Sequence, residues 1–75
     1  RRAYARARAG VANVVAFYRS NAYEACNLGR WVQCQVLVMK GQAIDPADTY
    51  LQQLQDAAIA GKEGGNPTLP APPAG

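Results

Sequence analysis

The sequence predicts an all-α protein, in which two to three short helices form a helical hairpin or small bundle, followed by an extended proline-rich tail. Alanine supplies 15 of the 75 residues, and both alanine and arginine have high helix propensity. Four of the five prolines lie beyond residue 66, so they interrupt few helical turns. One stretch alternates like a strand, but it has no second strand to pair with. We therefore expect a helical region over residues 1–61 and a flexible tail over 62–75.

The first helix is expected over about residues 2–26, where no proline occurs. Apolar and small residues recur there at spacings of three and four, which places them on one face of a helix. We interpret this face as a packing seam that continues past the end of the helix. Its main members are Tyr4, Val11, Val14, Tyr18, Leu28 and Trp31.

Arginines of the first helix fall away from this seam. We interpret four of them as a basic face that binds a partner: Arg2, Arg6, Arg8 and Arg19. The simpler alternative is a solvated face with no partner, since charged side chains favour water. Residues 1–40 contain seven basic residues and one acidic residue, whereas residues 41–75 contain one basic and four acidic residues. This polarity suits contact of the basic end with acidic protein or with phosphate.

The second helix is expected over about residues 30–40, after a turn near Asn27 and Gly29, two residue types that tolerate the left-handed conformation. Valines alternate there with glutamines as in a half-buried strand. A helix fits equally well, with a stripe through Leu28, Trp31, Val32, Gln35, Val36 and Met39. We prefer the helix, because a lone strand cannot satisfy its backbone hydrogen bonds. A strand added to the sheet edge of another subunit is the open alternative.

The third helix is expected over about residues 46–60. Asp45 stands where an N-cap residue belongs, and Pro46 suits the first helical position because its missing N–H costs nothing there. Asp48 adds negative charge to the first turn, where it interacts favourably with the helix dipole. Gly61 is the expected stop of this helix.

The two cysteines, Cys26 and Cys34, leave two alternatives open. On one uninterrupted helix, an offset of eight residues would separate them by about 12 Å along the axis at 1.5 Å per residue, which is too far for a disulfide. If the chain reverses near Gly29, the two thiols lie opposite each other and can form a disulfide, which would indicate an oxidising compartment or a virion surface. The preferred interpretation is two reduced and buried small hydrophobic side chains.

The hydrophobic core is expected to be small. Only 16 residues are Val, Ile, Leu, Met, Phe or Trp. A chain of this length buries only about 60% of its unfolded surface on folding. We therefore expect neighbouring chains to complete the core, in an oligomer or a complex with other protein subunits.

Several function classes lack the residues that they need. The sequence has no histidine, and two cysteines cannot form a four-ligand zinc site, so neither a metal nor another cofactor is expected. No oriented base accompanies a nucleophile, and no glycine-rich phosphate loop occurs, so we do not expect an enzyme. Uncharged runs within residues 1–61 reach ten residues at most, whereas a membrane-spanning helix needs about 20.

We therefore expect a non-enzymatic structural or assembly subunit of a larger multi-protein complex, which binds partner subunits through its helices and its extended tail. Size and composition favour a virion or secretion-machine component by analogy. The alternative is a small basic module that binds nucleic acid through the arginine-rich first helix. Such binding would weaken steeply with added salt, because each neutralised phosphate releases counterions.

Overall fold

The computed structural model describes the backbone of residues 2–73 and the side chains of residues 12–73. Three helices follow one another: α1 (Arg2–Asn27), α2 (Trp31–Ile44) and α3 (Thr49–Lys62). No strand occurs in residues 2–73, so the all-α prediction is confirmed and a strand over residues 31–39 is wrong. The molecule measures 48 × 21 × 17 Å. This elongation arises because α1 has 26 residues and the other helices have 14 each.

The chain reverses direction between α1 and α2 at Gly29, whose φ of 75° lies in the left-handed region. The amide of Gly29 donates to the carbonyl of Cys26 at 3.0 Å, and the amide of Arg30 donates to that of Ala25 at 2.8 Å. These two bonds form a Schellman motif, which closes the last turn of a helix. From this corner α2 runs back along α1, so that Gly41 lies beside Tyr18. The helix continues past residue 40, the expected end.

The turn between α2 and α3 differs from the expected one. The amide of Asp48 donates to the carbonyl of Asp45 at 3.2 Å, so Pro46 occupies the second position of a turn, which proline also favours. Asp48 is the N-cap of α3, because its Oδ1 accepts from the amide of Leu51 at 2.9 Å. The prediction that Asp45 caps a helix beginning at Pro46 is therefore wrong by three residues.

Helix α3 also continues beyond its expected stop. Gly61 lies within the helix and is buried against Trp31, where a Cβ would lie 2.6 Å from the indole Cζ2. Because glycine has no side chain, α3 can approach Trp31 of α2 closely at this position. The chain leaves α3 at Gly64, whose φ is 89°, and the amide of Gly65 donates to the carbonyl of Ala60 at 2.9 Å.

The seam of α1 is displaced from the predicted one. Val15 and Ala22 face the core, whereas Val14 is 43% exposed and Leu28 is 59% exposed. Val14 and Leu28 are therefore not core residues, because the buried stripe of α1 passes one position away from Val14 and the turn carries Leu28 outward. Tyr18 and Trp31, the other described members of the predicted seam, are half-buried, and Trp31 packs against the core.

The core is small, and much of it consists of alanine and cysteine. Leu51, Leu54 and Val38 are its largest fully buried aliphatic side chains. The remaining buried members of the cluster are Val15, Ala22, Ala25, Cys26, Cys34 and Ala58. Such a core provides little apolar burial per residue. This is consistent with the small number of large apolar residues in the sequence.

The described part of the tail lies against its own helices. Leu69 packs on the core, and the hydroxyl of Tyr50 donates to the carbonyl of Ala71 at 2.8 Å. A contact of the tail with a partner subunit, as expected from the sequence, stays a prediction.

Candidate functional site

The outward side of α2 carries an uninterrupted apolar surface. Val32 is 59% exposed, Val36 is 45% exposed and Met39 is 61% exposed, and Ala43 is exposed beside them. These four residues, which we name the outer face of α2, follow one another at spacings of four, three and four. That is the spacing with which one helix packs against another in a coiled coil.

The opposite side of the same helix is already occupied. Cys34, Val38 and Gly41 are buried against α1 and α3. Helix α2 is therefore apolar on both sides, and Lys40 is its only charged residue. Large apolar side chains are more often buried than exposed. The outer face is an apolar side of this helix that the described residues leave open to water.

Polar residues border the outer face on both edges. Gln33 and Lys40 lie along one edge and Gln35 and Gln42 along the other, as their helical positions require. The amide of Gln42 also donates to Gln52 of α3 at 3.4 Å. An apolar centre with a polar rim is the usual composition of a protein interface.

Helix α1 adds further exposed apolar residues. Phe17 is 59% exposed and meets Tyr18 edge to face, with ring centroids 5.5 Å apart. Because Tyr18 lies beside Gly41, Phe17 lies at the level of the C-terminal end of α2, where Ile44 is 39% exposed. Among the described side chains, apolar exposure is therefore not confined to the outer face, although the outer face is the longest regular row of exposed apolar residues.

Arg19, which the sequence assigned to the basic face, is engaged within the molecule. Its Nε donates to Oδ2 of Asp48 at 2.6 Å, and a terminal nitrogen contacts the same oxygen. Burial raises the pKa of the Asp48 carboxyl, but the hydrogen bonds from Arg19 and from the Leu51 amide, together with the Arg19 charge, outweigh burial and lower this pKa below its ordinary value. Arg19 thus ties α1 to the first turn of α3.

The other predicted members of the basic face and of the seam lie outside the described side chains. They are Arg2, Arg6, Arg8, Tyr4 and Val11. Their backbone belongs to the first half of α1. This half extends beyond the other helices, since the 26 residues of α1 span about 39 Å at 1.5 Å per residue, whereas the 14 residues of α2, which runs back along α1, span about 21 Å.

The two cysteines are joined, so the preferred interpretation of two reduced thiols is wrong. Cys26 at the end of α1 and Cys34 in the first turn of α2 form a disulfide with Cα atoms 5.3 Å apart. Both are fully buried beneath the corner at Gly29. The bond fixes the angle at which α2 leaves α1, and it thereby fixes which side of α2 faces outward.

The described residues contain no group of three potential metal ligands. Among the same residues, no helix combines the length and the apolar character of a membrane span. A groove of about 420 Å³ separates the tail from α3, and Asp56 is the only ionisable residue in its lining. Acid–base chemistry needs a positioned partner for such a carboxylate, and this groove supplies none.

Val32, Val36 and Met39 belong to a helical stripe expected from the sequence, but the sequence does not identify the outer face of α2 as an interaction site. Its signal was the four-three-four spacing from Val32 to Ala43, which competed with the period-two alternation of the same valines. No family model matches the chain, and no similar protein was found among curated proteins or solved structures.

Proposed function

We propose that the protein is a non-enzymatic structural or assembly subunit, which binds other protein subunits of a larger complex. The observation that carries this proposal is the outer face of α2. Val32, Val36 and Met39 lie on a rigid helix, held by the core on one side and by a disulfide at its first turn, yet their side chains are open to water. Contiguous exposed apolar surface rimmed by polar residues is typical of interaction sites.

The small core supports the same proposal. Eight large apolar side chains of the described residues are exposed, among them Phe17 and Leu28 at 59% each. A chain of this length has little hydrophobic stabilisation to lose. Covering these side chains in a complex would supply apolar burial that the isolated chain lacks, at about 25 cal/mol for each Å² removed from water.

The disulfide supports a particular setting for the complex. Disulfides persist in oxidising environments such as the periplasm, the cell exterior and the surfaces of virions. The bond between Cys26 and Cys34 therefore supports a subunit of a secreted or surface assembly. A virion or secretion-machine component remains the favoured type by analogy of size and composition.

Purification of the tagged chain from the cells that naturally produce it tests the proposal. We expect another polypeptide, or further copies of the chain, to co-purify in a fixed ratio. Val36→Lys, which places a charge in the middle of the outer face, should abolish this association. Ile59→Lys is the matched control, because Ile59 is 39% exposed on α3 and lies outside the outer face. The control should retain the association.

The proposal fails if no protein is present in a fixed ratio, or if both variants retain the association equally. Circular dichroism of each variant accompanies the purification. Since both side chains are exposed in the structure, both variants should keep the helicity of the parent chain.

The second candidate function is binding of nucleic acid through α1. It is favoured by the extension of the first half of α1, which contains Arg2, Arg6 and Arg8, beyond the other helices. The pairing of Arg19 with Asp48 removes one arginine from that surface. A triple replacement of Arg2, Arg6 and Arg8 by alanine should then abolish salt-sensitive binding to DNA or RNA. If the same variant still co-purifies with its partner proteins, the two candidate functions depend on different surfaces.

A further inference from the structure

We infer that the outer face of α2 binds the same face of a second copy of this chain, with the two α2 helices antiparallel. This inference rests on the proposed function and names the partner of its site. The twofold axis lies midway between residues 37 and 38, so that two residues whose numbers add to 75 lie at the same level along the two helices. A twofold contact of this kind uses one surface patch twice.

This alignment matches the four apolar side chains of the outer face. Val36 faces Met39 of the second copy, and Val32 faces its Ala43. By symmetry, Met39 of the first copy faces Val36 of the second, and Ala43 faces Val32. The four residues therefore form four layers of paired side chains along the contact. Each layer joins a larger to a smaller side chain, which keeps the distance between the helices even along the contact.

The edges of the contact also match. Each edge of the outer face meets the same edge of the second copy. Lys40 lies nearest to Gln33 of the second copy, offset by two positions along the helix, rather than next to another lysine. Gln35 lies nearest to Gln42 with the same offset, and both side chains can donate and accept hydrogen bonds. The two ends of α2 carry opposite charges, because Arg30 precedes the helix and Asp45 follows it. Antiparallel alignment brings Arg30 of each copy to the end that carries Asp45 of the other, and it opposes the two helix dipoles favourably.

The long first helix distinguishes this arrangement from a parallel one. Because α1 is antiparallel to α2, the first half of α1 extends beyond the C-terminal end of α2. In a parallel dimer both arginine-rich segments would extend at the same end and repel each other. In the antiparallel dimer they extend at opposite ends, about as far apart as the assembly permits.

Disulfide trapping between two differently tagged chains tests the alignment. One chain carries Val32→Cys and the other carries Ala43→Cys, and the mixture is oxidised mildly. We expect the 32–43 cross-link to predominate over cross-links between like positions. Residues 32 and 43 are 11 positions apart, or about 16 Å at 1.5 Å per residue, so a parallel dimer would instead favour 32–32 and 43–43 cross-links. Peptide mapping assigns the cysteines that are joined.

Sedimentation equilibrium of the unmodified chain supplies the second measurement. We expect a reversible dimer, whose dissociation constant rises about 30-fold or more in Val36→Lys, as replacement of a central interface residue does. Ile59→Lys should leave the constant unchanged. The control pair is Val32→Cys with Ile59→Cys. The inference is overturned if the 32–43 cross-link is no more abundant than the cross-link of this control pair. It is also overturned if cross-links between like positions predominate.

The two proposals can fail separately. If the chain sediments as a monomer at every concentration, while Val36→Lys still loses a different co-purifying protein, the second copy is overturned as the partner and the proposed function stands. If Val36→Lys alters neither self-association nor co-purification, both proposals are overturned.

Discussion

Arg19 and Asp48, which are 29 residues apart in sequence, form an ion pair that ties the middle of α1 to the first turn of α3. The same carboxylate caps α3 through the amide of Leu51. Asp48 is almost completely buried, whereas the Arg19 side chain is 37% exposed. The Asp48 side chain therefore caps the N-terminus of α3 and also holds α1 against α3.

Asp48→Ala should destabilise the fold by about 2 kcal/mol, because it removes the cap and the partner of Arg19 together. Asp48→Asn should cost about half as much, since asparagine caps helices as well as aspartate does. Urea unfolding at fixed protein concentration, followed by circular dichroism, measures both. Equal losses in the two variants would show that the cap contributes nothing.

Stability should depend on pH through Asp48. The pKa of this carboxyl in the folded chain lies below its ordinary value of 3.8, so the unfolded chain binds the proton more readily. The stabilisation is therefore complete above about pH 4 and is lost as the pH falls through the lower, folded pKa. We expect the urea midpoints of the parent and Asp48→Asn to converge below pH 4. A constant difference between them down to pH 2 contradicts this assignment.

Gly61→Ala should destabilise the protein although alanine is the better helix former. A Cβ at this position would overlap the Trp31 indole, and overpacking of this kind costs about 1–3 kcal/mol. Gly10→Ala is the matched control, because a Cβ there meets nothing within 4 Å. The control should gain up to about 1 kcal/mol. Thermal unfolding of the two variants distinguishes them, and a shift in the same direction for both would refute the close approach of α2 and α3.

Reduction of the bond between Cys26 and Cys34 should lower stability by about 2–3 kcal/mol, the value for a short closed loop. Comparison of the oxidised chain with the same chain in a phosphine reductant isolates the cross-link, because no atom is deleted. The urea midpoint should fall while the native helicity is largely retained. Identical midpoints would show that the corner is held by Gly29 and its hydrogen bonds alone.

The helical class and the approximate positions of the helices could be predicted from local pattern, because alanine content and proline placement act within one helix. The ends of the helices depended on tertiary contacts. Asp45 and Asp48 are equally good caps by sequence, and Asp48 prevails in the structure, where it also pairs with Arg19 of a distant helix. Gly61 resembles a helix stop, yet it is retained inside α3 where the Trp31 ring approaches.

The candidate site was the part least accessible to sequence reasoning. Val32, Val36 and Val38 satisfy a strand and a helix equally well, and burial alone separates Val38 in the core from the other two on the surface. The phase of α1 was similarly ambiguous, because adjacent Val14 and Val15 both fit an apolar stripe. Only the contacts of α1 with its neighbours identify Val15 as the buried one.

Oxidation of Met39 tests the central claim, that a protein partner covers the outer face of α2. Met39 is the one methionine among these 75 residues, and it is 61% exposed in the isolated chain. Hydrogen peroxide converts exposed methionine to its sulfoxide, and mass spectrometry measures the rate. The account predicts oxidation about tenfold slower or more in the native complex than in the dilute monomer, as expected for a side chain excluded from solvent. Equal rates in the two states would contradict it.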